Sequence, residues 1–167
     1  MSLVFIDTET TGLDPARHQI WEIAFAVDDG PIQSGVVHHS LIGADPVALD
    51  LNGYWERQDD FDRGKAFSYE TLVRDALEGN TLVAANPAFD AKFLQARWGV
   101  APWKYRMLDI ESFAAPYVGV KDDGSLFGLK DIAWGLGVEQ PDHSARQDVN
   151  VLRQCFWHLD NLYAIRL

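Results

Sequence analysis

Short apolar runs separated by turn residues fill the first quarter of the chain. The runs at residues 3–6 and 20–27 are typical of buried β-strands, and a turn signal at residues 28–31 separates the second run from a third at residues 32–42. These three runs predict a β-meander. The polar segment 44–66 follows and predicts a short helix and a loop over one edge of the sheet.

Helix-like and strand-like segments alternate in the rest of the chain. Ser68 is suited to cap a helix, and so is Asn86, because Pro87 follows at the one helical position that favours proline. The last helix opens at Ser144 with a capping-box pattern. The predicted helices are 68–77, 87–98, 110–117, 126–136 and the segment after 144, and the predicted strands are 81–85 and 105–108. The fold class is therefore α/β, a mixed five-stranded sheet flanked by helices.

Composition places the chain among ordinary globular proteins. Its 167 residues are 47% hydrophobic and 23% charged, and we expect residues 1–167 to form a single domain. No apolar run approaches the roughly 20 residues that cross a bilayer, so no membrane association is expected. The first residues contain no basic leader, which predicts an intracellular, cytoplasmic protein, or one of the host cytoplasm if the source is a virus. Cys155 lies among apolar helical positions and is interpreted as core packing.

The net charge of −11 argues against tight, non-specific binding to duplex nucleic acid, which usually requires a basic surface. It is compatible with brief engagement of a strand end. Residues 91–108 carry basic side chains and no acid. They either flank a phosphate track or form a solvated basic face, and we favour the solvated face. The basic residues are Lys92, Arg97, Lys104 and Arg106, and Lys104 or Arg106 is the candidate for steering a substrate.

Two carboxylates lie two residues apart next to the first apolar run. In a strand, Asp7 and Glu9 project from the same face, where their hard oxygen atoms suit Mg²⁺ or Mn²⁺. Asp90 follows a predicted buried strand and falls in the first turn of the next helix, where the helix dipole favours a carboxylate. Taken singly, each of these acids is better interpreted as a solvated strand-end or helix-start residue than as a metal ligand.

The last helix supplies a second acid at a helix start. If Ser144 caps this helix, Asp148 lies at the end of its first turn and His143 lies just before it. A histidine with a pKa near 6.5 is suited to accept a proton at neutral pH. Four carboxylates gathered in one place would repel one another, so together they imply bound cations. The combination predicts a two-metal phosphodiesterase, in which two ions hold the attacking water and the leaving oxygen.

Three motifs carry a resemblance to a known family. The motifs are Asp7-Thr-Glu-Thr-Thr-Gly-Leu13, Asn86-x-x-Phe-Asp90 and His143-x-x-x-x-Asp148. In order and spacing they resemble the DnaQ-like 3′-5′ exonucleases of the ribonuclease H-like superfamily. The histidine indicates the DEDDh branch, because the sibling branch has tyrosine where this chain has Ser144.

The resemblance implies a ribonuclease H-like fold, two Mg²⁺ or Mn²⁺ ions and release of 5′-mononucleotides from a 3′ end. It implies that Asp7, Glu9, Asp90 and Asp148 bind the metals and that His143 is the general base. Thr10 would contact the terminal sugar and Leu13 would wedge against the terminal base. Asn86 and Phe89 are further candidates for substrate contact, and core packing is at least as good an interpretation of Phe89. Glu22 follows the family's second-strand pattern and would support the site.

Single-stranded or frayed DNA is the expected substrate, with a polymerase as a possible partner in trans. An exoribonuclease for short RNA and a catalytically silent nucleic-acid-binding or scaffold domain remain the alternatives. Ala85 stands where family members often have histidine, and Pro87 also departs from the pattern, which leaves substrate preference open. Trp55 and Trp103 are candidates for base stacking, although packing is the favoured interpretation of the tryptophans.

Overall fold

The computed structural model describes residues 1–57 and 63–164, with side chains from residue 68 onward in the second range. The strands are β1 (Leu3–Thr10), β2 (Ile20–Val27), β3 (Gln33–Val36), β4 (Thr81–Ala84) and β5 (Leu108–Asp109). The helices are α1 (Pro46–Leu51), α2 (Tyr54–Arg57), α3 (Arg63–Leu77), α4 (Pro87–Trp98), α5 (Ile110–Val118), α6 (Leu129–Leu136) and α7 (Ala145–Ala164). None of the helices in these two ranges is long and apolar enough to span a membrane.

The strands form one sheet in the order β3-β2-β1-β4-β5. β1 lies at the centre, antiparallel to β2 and parallel to β4, and β4 is parallel to β5. The carboxyl ends of three parallel strands therefore meet at one edge of the sheet, which is where open α/β sheets collect ligands. The predicted mixed five-stranded sheet is confirmed.

Both faces of the sheet are buried, which explains why β1 begins as a continuous apolar run. Val4 and Ile6 pack on the side of α3 and α4, whereas Phe5 packs on the side of α5, α6 and α7. Because successive strand residues alternate between faces, Asp7 and Glu9 lie on the face of Phe5, toward α7. The buried helix stripe of α7 includes Cys155, so the core interpretation of this cysteine is confirmed.

Several predicted boundaries were wrong. The third strand ends at Val36 rather than residue 42, because its pairing with β2 stops where Val36 lies opposite Glu22. The predicted strand 105–108 overlaps β5 only at Leu108. β5 begins there because Leu108 and Asp109 are the residues that pair with β4. The helix predicted from residue 126 begins at Leu129, and Gly128 is its N-cap.

The prediction that Ser68 caps a helix was also wrong. α3 begins at Arg63, five residues earlier, so Ser68 is an interior residue of that helix. The predicted short helix and loop at 44–66 correspond to α1, α2 and the start of α3, and the part of this prediction at residues 58–62 lies outside the described residues.

Candidate metal centre and active site

Three of the four predicted metal ligands lie close together in the structure. One carboxylate oxygen from each of Asp7, Glu9 and Asp148 lies within 4.8 Å of the others. β1 supplies the first two from adjacent positions on one face, and the first turn of α7, which packs on that face, supplies the third. Residues separated by more than half of the chain are thus brought within the reach of a single cation.

Asp90 joins the cluster from the other side of β1. It lies in the first turn of α4, is 3% exposed, and its Oδ1 accepts a hydrogen bond of 2.7 Å from Thr8 Oγ1. The negative charge of Asp90 also raises the pKa of Asp7. The helix-start placement predicted from the sequence is confirmed, and Thr8 is a contact that the motif did not reveal.

Burial and mutual repulsion make the cluster reluctant to ionise. Burial raises the pKa of Asp7 well above its usual range, and the charges of Glu9, Asp90 and Asp148 raise it further. Burial, followed by repulsion from Asp148 and Glu22, raises the pKa of Glu9 to about 9. Burial raises the pKa of Asp90 to about 7 and also raises that of Asp148. Such a set of oxygen donors is suited to divalent cations, whose charge would favour the ionised carboxylates.

The turn before α7 holds His143 in an exposed position beside the cluster. His143 has a φ of 62°, in the left-handed region, and its charge lowers the otherwise raised pKa of Asp148. Asp142 N donates to Asp148 Oδ1 at 3.0 Å, and Ser144 N and Oγ both donate to Asp142 Oδ1. A web of hydrogen bonds thus fixes the backbone on both sides of the histidine.

The capping box predicted at Ser144 is only half formed. Gln147 N donates to Ser144 Oγ at 3.4 Å, as the pattern requires. The side chain of Gln147 does not return to the cap, because its amide donates to Gln140 O and Glu139 instead. The helix start is nevertheless where it was predicted, and Asp148 therefore occupies the expected turn.

The residues that the resemblance assigns to substrate differ in their availability. Thr10 is buried and its hydroxyl donates to Gly12 O at 2.7 Å, whereas Leu13 is 77% exposed in the loop after β1. Phe89 lies on the edge of the core with its ring centroid 4.9 Å from that of Phe93. Leu13 is therefore free to meet a ligand, and Phe89 is at least partly a packing residue.

Asn86 stands at the N-cap position of α4, but its side chain makes no capping hydrogen bond, so that part of the prediction was wrong. The residue adopts a left-handed conformation with a φ of 54°. Its backbone N–H donates to Asp109 Oδ1 at 3.2 Å. The exposed amide of Asn86 is consequently left for a ligand at the carboxyl end of β4.

Two residues near the cluster escaped the sequence analysis. Asn52, which follows α1, is buried and donates through Nδ2 to Thr10 O at 3.0 Å. Arg57, the last residue of α2, pairs with Glu22 and also donates to the backbone carbonyls of Asn52 and His143. No spacing rule connects Arg57 to a histidine more than eighty positions later, so only the structure reveals the contact.

Two residues of the basic segment, Arg97 and Lys104, make their contacts away from the carboxylates. Arg97 pairs with Glu70 and donates to His38 O at 2.8 Å, so its guanidinium has a structural role. Lys104 N donates to Asn80 O, which precedes β4, and Lys104 Nζ contacts Met1. These contacts place Lys104 at the amino ends of the parallel strands, opposite the metal cluster.

The two tryptophans considered for base stacking differ in their exposure to solvent. Trp103 is buried in the core that lies against α4, which confirms the packing interpretation. Trp55 is 47% exposed on α2, and its indole Nε1 donates to Asp50 Oδ1 at 3.1 Å.

The chain belongs to the RNase_T exonuclease family, whose model matches residues 4–156. Its acidic cluster is compatible with divalent metal binding. No curated protein matches the sequence significantly.

Solved structures of exonuclease I share the fold. The E. coli enzyme in complex with a dT13 oligonucleotide is 19% identical, with a TM-score of 0.71, over 98% of this chain and 43% of that chain. The zinc-bound form of an E. coli exonuclease I–ssDNA complex is 18% identical, with a TM-score of 0.72, over 98% of this chain and 43% of that chain. Exonuclease I from Methylocaldum szegediense is 16% identical, with a TM-score of 0.68, over 95% of this chain and 40% of that chain. The chain thus has the ribonuclease H-like exonuclease fold and spans less than half the length of these enzymes.

Proposed function

We propose that this chain is a 3′-5′ exonuclease that releases 5′-mononucleotides from single-stranded or frayed DNA with the help of two divalent ions. One observation carries the proposal: Asp7, Glu9 and Asp148 place oxygen atoms within 4.8 Å of one another. Asp90 is near enough that its charge raises the pKa of Asp7. The family match supports the nuclease chemistry.

The donor set fits Mg²⁺ or Mn²⁺. All four side chains are carboxylates, the hard ligands that these ions prefer, and burial raises the pKa of each, so that a bound cation would favour their ionised forms. Asp7, Glu9, Asp90 and Asp148 would hold the ions. Bound there, divalent ions would supply Lewis-acid stabilisation of the charge that develops on the phosphodiester.

The protein's own groups would carry the remaining steps. His143 is exposed beside Asp148 and is suited to take the proton from the water that attacks the phosphorus atom. Leu13 and Asn86 flank the carboxyl ends of β1 and β4 and present an apolar side chain and an amide to the terminal nucleotide. The Thr10 hydroxyl donates to Gly12 O, so it would act toward the terminal sugar as a hydrogen-bond acceptor.

DNA is favoured as substrate because the exonuclease I structures of similar fold are complexes with DNA oligonucleotides. The net charge of −11 favours brief contact with a strand end over tight duplex binding. Removal of frayed 3′ ends would serve a polymerase on the same DNA, so a polymerase partner in trans is part of this proposal. Short RNA is the second substrate to compare, because Ala85 stands where family members often have histidine.

The test is a strand-shortening assay on matched single-stranded DNA and RNA carrying a 5′ label. With Mn²⁺ or Mg²⁺ the ladder should shorten from the 3′ end, DNA faster than RNA, and EDTA should stop the reaction. Asp7→Asn should abolish shortening, whereas Asp160→Asn, an exposed carboxylate on α7, should leave it unchanged. Shortening that survives Asp7→Asn would exclude the proposed site, and binding of DNA without any cleavage would favour the silent domain.

A further inference from the structure

Two glutamates lie directly opposite each other at the end of the sheet. Glu9 of β1 is the cross-strand partner of Glu22 of β2, and Glu22 is 9% exposed. Like charges in this arrangement destabilise a strand pair. Burial raises the pKa of Glu22, and the guanidinium of Arg57 acts against this increase. Arg57 is thus the cation that compensates the charge pair.

The guanidinium of Arg57 reaches three oxygen atoms at once. Its Nη1 donates to Glu22 Oε2, while its Nη2 donates to Asn52 O and, at 3.0 Å, to His143 O. The guanidinium carbon also lies 4.8 Å from the ring centroid of Trp21. A planar, multiply bonded guanidinium stacked on an indole is an arrangement that lysine cannot reproduce.

The contact with His143 matters because of the backbone conformation there. A non-glycine residue at a φ of 62° is held in a sparsely populated region and persists only when its surroundings enforce it. Arg57 binds the carbonyl of His143, and Glu22 Oε2, which Arg57 also binds, accepts from Ala145 N at 3.4 Å. The Arg57–Glu22 pair is therefore hydrogen-bonded to the backbone at His143 and at Ala145.

The same guanidinium is connected to the metal-binding strand. Asn52, whose carbonyl Arg57 binds, donates through its side chain to Thr10 O, next to Glu9. Asn52, Arg57 and His143 also line a common groove of about 370 Å³. Arg57 thus bridges the end of β1 and the entry to α7, the two segments that supply ligands and base.

We propose that Arg57 is a positioning residue that fixes His143 relative to the carboxylate cluster by bridging Glu22, Asn52 and the His143 carbonyl. This inference rests on the proposed function, in which His143 is the base. It assigns Arg57 no contact with substrate, so its loss should affect turnover rather than substrate affinity.

The chain offers a closely matched control. Arg97 also pairs with a glutamate, Glu70, and also donates to the backbone carbonyl of a histidine, His38, but lies away from the cluster. The side chains of Arg57 and Arg97 are 26% and 18% exposed. Arg57→Ala and Arg97→Ala therefore remove similar interactions, only one of which touches the base.

The first measurement is amide hydrogen exchange on the metal-free protein. Arg57→Ala should accelerate exchange at residues 143–145 by about tenfold or more, because the local opening becomes easier, while Arg97→Ala should not. This readout does not depend on catalysis. It decides whether Arg57 holds the loop even if the chain fails to cleave any strand, the result that would refute the proposed function itself.

The second measurement is steady-state cleavage with Mn²⁺ saturating in each variant. Arg57→Ala should lower kcat about 10- to 100-fold, within the contribution of a positioned general base, with KM retained. The kcat of Arg57→Lys should lie between those of wild type and Arg57→Ala, and added guanidinium ion should partly restore the kcat of Arg57→Ala. Arg97→Ala should retain the wild-type kcat. If Arg57→Ala does not fold, the comparison rests on Arg57→Lys.

Three outcomes would overturn the proposal. Unchanged exchange at residues 143–145 would show that Arg57 does not hold the loop. Unchanged kcat despite faster exchange would show that the hold is irrelevant to turnover. A rise in KM alone, with weaker dependence of KM on salt, would indicate that Arg57 contacts the phosphate backbone instead.

Discussion

Replacing Glu9 by glutamine should stabilise the metal-free protein while weakening its response to metal. The pKa of Glu9 in the fold is about 9, against an ordinary value of 4.5, because the side chain is buried and faces Asp148 and Glu22. The folded state therefore binds a proton more tightly than the unfolded chain does. Consequently stability falls as the pH rises above 4.5, and the loss is complete above about pH 9.

The magnitude follows from linkage. Each pH unit between the two pKa values is worth about 1.4 kcal/mol, so at pH 8 the ionisable Glu9 costs the fold about 2–5 kcal/mol. For a domain of this size, that corresponds to about 5–15 °C in Tm. Glu9→Gln removes the titratable group and should recover most of this stability at pH 8 in EDTA, but little at pH 5.

Saturating Mn²⁺ should reduce the stability advantage of Glu9→Gln at pH 8. Ligand at 100 times its Kd stabilises a folded protein by about 2.7 kcal/mol, and Glu9→Gln loses one of the proposed ligands. Thermal melts followed by circular dichroism at pH 5 and pH 8, in EDTA and in Mn²⁺, test both halves. Glu78→Gln, an exposed glutamate after α3, is the control. A variant less stable than wild type at pH 8 in EDTA, or equally stabilised at both pH values, would refute the argument.

The remaining predictions concern single side chains at the site. His143→Ala should lower kcat by about 100-fold or more while calorimetry still detects Mn²⁺ binding; lost Mn²⁺ affinity would contradict its role as base. Thr8→Val keeps the shape of the side chain but removes the 2.7 Å hydrogen bond to Asp90, so Mn²⁺ affinity should fall about tenfold, and an unchanged titration would show that this bond is unimportant. Leu13→Ala should raise KM several-fold with little change in stability, because the side chain is 77% exposed, and an unchanged KM would exclude it as a wedge against the terminal base.

The carboxylate cluster shows how far local patterns reach. Asp7 and Glu9 could be assigned to one face from strand alternation, and Asp90 and Asp148 to first turns of helices from Asn86-Pro87 and Ser144. These placements depend on backbone preferences of a few adjacent residues, which is why they were predicted correctly.

The failures have a non-local cause. Ser68 has the chemistry of a cap but lies inside α3, and Asn86 occupies a cap position without making the bond. Capping preference shows which residues are able to begin a helix, whereas packing against the sheet decides where the helix begins. The overestimated length of β3 has the same origin, since its regular pairing with β2 stops at Val36.

The sequence by itself determined the alternation of elements, the order of three motifs and the chemical identity of the acids and the histidine. Only the tertiary structure decided that Glu22 lies opposite Glu9, that Thr8 binds Asp90, and that Arg57 reaches the carbonyl of His143. Periodicity describes neighbours along the chain, but these contacts arise where strands pair and helices pack. The distance between such residues is set by the whole fold and not by their spacing in the sequence.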